Sequence, residues 1–234
     1  MVWASFAASG SYVNVARSMT LQQKGIYQVT GRPYDAIHGG YIMKQVASPL
    51  KQRVLETADH LFYQEGIRAV GVDRIIAESG IAKASFYRFF ASKDILITEW
   101  IQMRDAVWRK WFRESVEALA PNPAERPLAI FDVLYSRFSN PAFRGCAFLN
   151  TIIELARADH PASQAANAHK HSVATLIENY LSNAGYTASK PLATLFMQLI
   201  DGALITALRE GSPDSALRAK QIARALLAAY STPA

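Results

Sequence analysis

The apolar residues of this 234-residue chain recur at helical spacing from Leu50 onward, and this periodicity constrains the fold more than any other feature. The sequence predicts a first helix that ends at Gly66. Its apolar stripe consists of Leu50, Val54, Ala58, Leu61 and Phe62. Prolines, glycines and capping residues divide the rest into helical segments: Val72–Ser79, Lys83–Phe89, Ser92 to Pro121, Ala124–Phe138, Cys146–Ala158, Ala162–Ala184, Leu192–Arg209 and Asp214–Tyr230. Convincing strand alternation is absent from the sequence. The pattern therefore predicts an all-α fold.

Composition narrows the class of protein. Half of the residues are hydrophobic, which is typical of a globular chain, and the formal net charge of +6 favours an anionic partner. The single cysteine, Cys146, excludes an intramolecular disulfide framework and suits a reducing cytoplasm. The most apolar stretch, Pro191 to Leu208, contains Gln198 and Asp201, so we predict no membrane span.

Residues 1–47 differ from the rest, because they have no helical or strand period and few charges. We treat them as an N-terminal extension and keep two interpretations open. Either the extension is poorly ordered and helps to hold a partner, or the start is mis-assigned and the native chain begins at Met43. The first apolar run precedes the first positive charge, Arg17, which is not the order of a secretory signal peptide.

Two short helical segments on either side of Gly80 have the order of a helix-turn-helix motif, at residues 71–90. The second helix of such a motif enters the major groove of DNA. On a helical wheel Phe86 and Phe90 point to one side, whereas Ala84 and Arg88 point to the other. The second helix and the residues after it carry bases and no acid before Asp94. The candidate DNA-binding residues are Lys83, Ala84, Ser85, Tyr87, Arg88 and Lys93.

Each of these residue types suits a defined contact. Arg88 can donate two hydrogen bonds to O6 and N7 of guanine, Ser85 can reach a base edge or a phosphate, and Ala84 leaves room for a thymine methyl group. Phosphate oxygens suit the flanking side chains of Lys83, Tyr87 and Lys93. Most charged helix faces are simply solvated, but the order of the elements and the adjacent tyrosine and arginine favour DNA.

The segment LETADHLFYQEGIRAVGVDRIIAESGIAKASFYRFFASKDIL, residues 55–96, resembles the N-terminal DNA-binding domain of the TetR family of transcriptional regulators. The elements A..LF...G and I...SGI.K.SFYR.F.SKD.L occur in order and without gaps. The resemblance implies a DNA-binding domain at residues 48–108 and an effector-binding and dimerisation domain at residues 109–231. Ala82 stands where the family often has Ser or Thr, so we expect the recognition helix to lack a side-chain cap. Ala84 replaces a frequent Gly, and Phe89 a frequent polar residue.

The C-terminal half also resembles one branch of that family, in the stretches NPAFRGCAFLNTIIELARADHP, AHKHSVATLIENYL and LIDGALITAL. Apolar stripes on the last two helices could form a four-helix interface between two protomers, and core packing within one chain explains the same stripes equally well. The resemblance favours the dimer. Its candidate interface residues are Leu195, Leu199, Ala203 and Leu226.

Aromatic side chains in the middle of the chain suggest a pocket for an apolar or aromatic effector. Core packing is the competing explanation for each of them. The candidate pocket residues are Trp100, Trp108, Phe131, Tyr135, Phe138, Cys146, Phe148 and Asn150.

These observations favour a cytoplasmic, nucleoid-associated homodimeric repressor that a small molecule releases from a palindromic DNA operator. One alternative is a helical interaction module that has lost DNA binding, and another is an enzyme built around Cys146. No catalytic residues, cofactor or metal are predicted, because the sequence contains no nucleotide-binding fingerprint and His169 and His171 diverge on a helix.

Overall fold

A computed structural model describes residues 48–230 of the chain, so the two interpretations of residues 1–47 lie outside the described residues. Within residues 48–230 the chain forms helices and no β-strand, which confirms the predicted all-α class. A short 3₁₀ helix at Pro123–Glu125 precedes the fifth α-helix. The α-helices are α1 (Pro49–Glu65), α2 (Val72–Ser79), α3 (Lys83–Phe89), α4 (Lys93–Leu119), α5 (Arg126–Phe138), α6 (Ala147–Leu155), α7 (Pro161–Asn183), α8 (Ser189–Glu210) and α9 (Asp214–Tyr230).

The helix ends follow the sequence signals closely in the first half of the chain. Gly66 ends α1 and Gly80 ends α2, both with positive φ (94° and 62°), a conformation that glycine adopts at little cost. The Ser92 hydroxyl accepts a hydrogen bond from the Ile95 N–H at 3.3 Å and caps α4. No side chain caps α3 at Ala82, as the sequence predicted.

One helix is shorter than its sequence pattern. The pattern continued α6 to Ala158, but α6 ends at Leu155 because Ala156 adopts a left-handed conformation with φ of 53°. Alanine is the best helix former, so nothing local in the sequence indicates this stop.

The helices enclose two hydrophobic cores, and α4 contributes to both. The N-terminal core contains α1, α2, α3 and the first part of α4. The C-terminal core contains the last part of α4 with α5, α7, α8 and α9. Trp108, at the predicted domain boundary, contacts both cores. The α6 and α7 residues Ala147, Phe148, Ala162 and Ala166 also belong to the N-terminal core, so the two halves share a packed boundary.

Helix α8 is long and apolar enough to cross a membrane by length and composition alone. The sequence analysis had predicted no membrane span in this stretch. In the fold one face of α8 is buried in the C-terminal core through Leu192, Phe196 and Ile200. Asp201 of the same helix accepts a hydrogen bond from the Lys170 ammonium of α7. The contacts of α8 are therefore those of a core helix.

Candidate DNA-binding surface and ligand cavity

Helix α3 is fastened to the N-terminal core by two phenylalanines. Phe86 and Phe90 are fully buried, and their ring centroids are 5.5 Å apart. Tyr87 packs edge-on against Phe86 with its ring centroid 5.3 Å away. These contacts fix the rotation of a helix that is too short to be stable alone. The predicted inward face of α3 is therefore the buried one.

The opposite face of α3 carries most of the predicted DNA-binding residues. Lys83, Ala84, Tyr87 and Arg88 are exposed, whereas Ser85 is half-buried. The Lys83 ammonium donates a hydrogen bond to Asp73 at 2.9 Å, and this bond raises the pKa of Lys83. The Arg88 guanidinium lies 5.2 Å from the centre of the Phe89 ring. An exposed arginine and tyrosine thus stand side by side on an anchored helix.

Lys93 is oriented differently from the other five candidates. Its ammonium donates a hydrogen bond of 2.6 Å to the Ile67 carbonyl and lies 5.9 Å from the Phe62 ring centre. Burial lowers the pKa of Lys93, and the charges of Asp94 and Glu154 oppose that shift. In this arrangement the side chain ties α4 to the end of α1, so it fills a structural role that the sequence did not reveal.

The turn of the motif has a support that sequence reasoning missed. The Arg53 guanidinium of α1 donates a hydrogen bond of 3.1 Å to the carbonyl of Gly80. Arg74 of α2 pairs with Glu65 of α1 and with Glu78 of its own helix. The Arg74–Glu78 pair has i,i+4 spacing within one helix, which a local pattern can indicate. The contacts of Arg53 with Gly80 and of Arg74 with Glu65 join different helices, so no local pattern could have indicated them.

A partly open cavity lies at the boundary of the two cores. The cavity opens to solvent at its mouth. Three of the predicted pocket residues line it, namely Trp108, Cys146 and Phe148. The others do not: Trp100 is buried in the N-terminal core, Phe131 and Phe138 are buried in the C-terminal core, and Tyr135 and Asn150 are half-buried away from the lining. Residue type does not separate core positions from cavity-wall positions, because most residues of both are apolar, and the effector-binding role of these residues stays a prediction.

His169 of α7 forms one wall of the cavity. Its ring stacks on Phe148 with centroids 3.4 Å apart, and its Nδ1 lies 2.7 Å from Oδ1 of Asp105 on α4. Burial lowers the pKa of His169 more than the hydrogen bond to Asp105 raises it. Burial also acts on Asp105, but hydrogen bonds from His169 and Arg109 lower the pKa of that carboxyl group overall. A neutral imidazole therefore donates to a carboxylate across the α4–α7 contact.

A buried polar network joins the cavity to α1. The Arg104 guanidinium of α4, part of the cavity lining, pairs with the Asp59 carboxylate of α1. The Trp100 indole N–H donates to the same carboxylate at 2.6 Å. The Tyr63 hydroxyl of α1 donates to the Gly145 carbonyl at 3.1 Å and accepts from the Arg144 N–H at 3.0 Å. Gly145 also lines the cavity, so two parts of its wall are bonded to α1.

Comparison with known proteins identifies the family. Residues 54–99 match the family model for bacterial regulatory proteins of the tetR family, and residues 123–225 match the model for the C-terminal domain of LmrA/YxaF-like transcriptional regulators. The chain belongs to the TetR family of transcriptional regulators. Members of this family are non-enzymatic DNA-binding proteins, which removes the hypothesis of an enzyme built around Cys146.

Individual relatives of this TetR-family chain are distant. The transcriptional regulator LmrA of Bacillus subtilis is 26% identical over 162 residues, which cover 68% of this chain and 86% of LmrA. An uncharacterised regulator of Lactococcus lactis is 24% identical over 110 residues, which cover 47% of this chain. The chain spans only 56% of that relative's length.

Solved structures of the family share the fold. A TetR-family transcriptional regulator from Streptomyces coelicolor superposes with a TM-score of 0.71 at 28% identity, covering 78% of this chain and 96% of that one. The reduced form of Escherichia coli NemR superposes with a TM-score of 0.69 at 20% identity, covering 75% of this chain and 95% of that one. The second likeness supports the fold alone.

The predicted dimer residues of this TetR-family regulator fall in two groups. Leu195, Leu199 and Leu226 are half-buried on α8 and α9. Ala203 is buried in the protomer's own core, where its carbonyl accepts a hydrogen bond from the Ser215 hydroxyl at 2.8 Å. Its place in an interface stays a prediction. The exposed apolar residues of the two helices are instead Ile205, Leu208, Leu217, Ile222 and Tyr230.

Proposed function

We propose that this chain is a homodimeric repressor that binds a palindromic operator in the cytoplasm and is released from it by a small molecule. The observation that carries the proposal is the exposed face of α3, where Tyr87 and Arg88 stand on a helix anchored by Phe86 and Phe90. The relative NemR of Escherichia coli is a transcriptional repressor, which supports repression as the outcome. DNA binding is assigned to residues 48–108, and effector binding and dimerisation to residues 109–231.

On the operator, the exposed side of α3 enters the major groove, where some of its side chains contact bases and others contact phosphates. Arg88 donates to a guanine edge, with Ala84 and Ser85 beside it. Lys83 and Tyr87 contact phosphate oxygens, which position the helix without reading sequence. We now expect Lys93 to contribute through its bond to Ile67, so its substitution should affect stability more than DNA affinity.

Dimerisation is supported by the apolar face of α8 and α9. Ile205 and Ile222 are 49% and 52% exposed, and half-buried Leu226 lies one turn beyond Ile222. A second copy packed against this face would form a four-helix interface and remove these side chains from water. The two-fold axis would place two copies of α3 one or slightly more DNA turns apart, which fits a palindromic operator.

The proposed release by an effector depends on α4, because this single helix extends from the DNA-binding half to the cavity. This helix begins next to α3 and carries Arg104 and Trp108 into the cavity wall. A ligand in the cavity that tilts α4 would change the separation of the two reading helices. Such a ligand must bind the released arrangement more tightly, and it can shift the equilibrium only by that difference in affinity.

Selection of genomic DNA tests the DNA-binding proposal directly. Sheared genomic DNA is enriched on the purified wild-type protein, on Arg88→Ala and on Arg113→Ala, an exposed arginine of α4 outside the motif. We expect wild type and Arg113→Ala to enrich the same palindrome. Arg88→Ala should bind it more weakly by about 1–3 kcal/mol and lose preference at one base pair. If no variant enriches any sequence, the proposal fails, and an interaction module without DNA binding becomes the better explanation.

Sedimentation equilibrium tests the dimer. Ile222→Arg places a charge in the proposed interface and should yield monomers at concentrations where the wild type is dimeric. Ile153→Arg is the matched control, because Ile153 is an apolar residue of α6 that is 67% exposed outside this face. Equal association of the two variants would remove α9 from the interface.

A further inference from the structure

We propose that the cavity binds an organic anion with an apolar or aromatic body, and that Arg104 is the residue through which this ligand acts on the DNA-binding half. The inference rests on the proposed function, since it names the chemical class of the effector and the contact that transmits its binding. It adds a negative charge to the apolar or aromatic effector that the sequence suggested.

The lining of the cavity combines apolar walls with positive charge. Its walls include Leu134, Val173, Met197 and Ile200 together with the aromatic rings of Trp108 and Phe148. Three cations also line it, Arg104, Arg137 and Lys170, and among the described residues none of the lining side chains is an acid. The carboxylates that pair with Arg104 and Lys170, Asp59 and Asp201, lie outside the lining. Cations beside a low-dielectric wall attract a carboxylate, phenolate or sulfonate and repel an amine. The apolar walls suit the rest of such a molecule.

Arg104 belongs both to this lining and to the contact between the two halves of the chain. Its side chain is only 7% exposed and pairs with Asp59 of α1. The guanidinium also lies 4.3 Å from the centre of the Tyr63 ring, another residue of α1. A guanidinium carries five N–H donors, so it can bond to Asp59 and present further donors to the cavity.

A ligand anion bound to these further donors shares one buried guanidinium with the Asp59 carboxylate, and each anion attracts that cation toward itself. The Asp59 carboxylate is buried, so its negative charge raises the free energy of the fold unless Arg104 stays paired with it. A ligand that draws Arg104 toward the cavity weakens the hold of α4 on α1. The Arg104–Asp59 pair is then the point at which occupancy of the cavity changes the arrangement of the DNA-binding helices.

A ligand-binding comparison tests the chemical class. The probe is anilinonaphthalene sulfonate, and its matched partner is phenylnaphthylamine, which has the same rings without the sulfonate. Fluorescence titration should give at least about tenfold tighter binding of the sulfonate, the scale of one charge-assisted hydrogen bond. Arg137→Met and Lys170→Met should each reduce this preference several-fold. Arg113→Met, which removes an exposed cation of α4 outside the lining, should leave it unchanged.

The coupling through Arg104 is tested with Asp59→Asn. This variant keeps the positive charge in the cavity wall and removes the negative charge that competes for it. We expect several-fold tighter binding of the sulfonate than in the wild type, together with a weaker effect of the sulfonate on operator binding. Arg104→Met should lose the preference for the sulfonate. If that variant does not fold, Asp59→Asn and Lys170→Met decide the question by themselves.

Three results would overturn the inference. The sulfonate and its neutral partner could bind equally, which would make the cavity an apolar pocket. The lining variants could bind the sulfonate as Arg113→Met does. Alternatively, Asp59→Asn could retain the wild-type response of DNA binding to the sulfonate. If the wild type selects no operator, the proposed function fails, whereas the comparison of the two probes still decides whether the cavity is an anion site.

Discussion

Replacing Tyr63 with Phe removes one oxygen atom and should destabilise the protein much more than its size suggests. The hydroxyl donates to the Gly145 carbonyl at 3.1 Å and accepts from the Arg144 N–H at 3.0 Å, both of ordinary hydrogen-bond length. The ring of Tyr63 is buried, and its packing beside Arg104 is unchanged by the substitution. The substitution therefore removes two hydrogen bonds between α1 and the loop before α6.

The size of the effect follows from those two bonds. A hydrogen bond contributes about 0.5–1.5 kcal/mol net, and a buried polar group left without its partner costs about 1–3 kcal/mol. Because both loop groups lose a partner, we expect the free energy of unfolding to fall by about 2–4 kcal/mol. With a denaturant dependence of about 2 kcal/mol per molar urea, the midpoint should move down by roughly 1–2 M. Wild type and variant must be compared at one protomer concentration, since association stabilises the folded state.

Tyr180→Phe is the matched control for this measurement. Tyr180 is also buried, but its hydroxyl lies at a longer 3.4 Å from the Glu117 carboxylate. Burial raises the pKa of Tyr180 to about 12, with Glu117 adding to the shift, so its hydroxyl is protonated throughout the assay. We expect a loss of less than about 1 kcal/mol. A Tyr63→Phe midpoint equal to that of Tyr180→Phe would refute the argument that these two bonds hold the halves together.

Three further predictions concern stability. Phe86→Ala should lower the free energy of unfolding by about 3–5 kcal/mol in urea denaturation, whereas Tyr87→Ala, 47% exposed, should change it by less than about 1 kcal/mol. Lys93→Ala should cost about 1–2 kcal/mol through its lost bond to Ile67 and leave the salt dependence of DNA binding unaltered; a flatter dependence would make Lys93 a phosphate contact. Because the pKa of His169 is lowered in the fold, its contribution to the free energy of unfolding is complete above the unfolded pKa of about 6.5 and is lost as the pH falls below that value. Thermal melts of His169→Gln should therefore lack this part of the acid destabilisation.

The sequence predicted the inward face of α3 correctly because that prediction used only local geometry. Two phenylalanines four residues apart must lie on one side of a helix, and the core covers that side. The same reasoning could not orient Lys93. Its ammonium bonds to the Ile67 carbonyl, and only the packing of α4 against the end of α1 brings these groups together.

The cavity illustrates the same limit. Aromatic type led the sequence-based reasoning to Trp100 and Phe131, which are core residues, and missed Arg104 and His169. No sequence pattern separates an aromatic residue of the core from one of the cavity wall, because both places are lined mainly by apolar side chains. The difference lies in which neighbours fill the space beside each ring, and those neighbours come from α4, α5, α6, α7 and α8.

The sequence by itself determined the all-helical class, most helix boundaries and the family, because apolar periodicity, capping residues and glycines act within a few residues of one another. Tertiary structure alone decided where α6 ends, which apolar residues remain exposed on α8 and α9, and that Arg104 links the cavity to Asp59. These features depend on contacts between helices that are far apart in the chain, and the energy of such contacts is set by the burial and distance that folding creates.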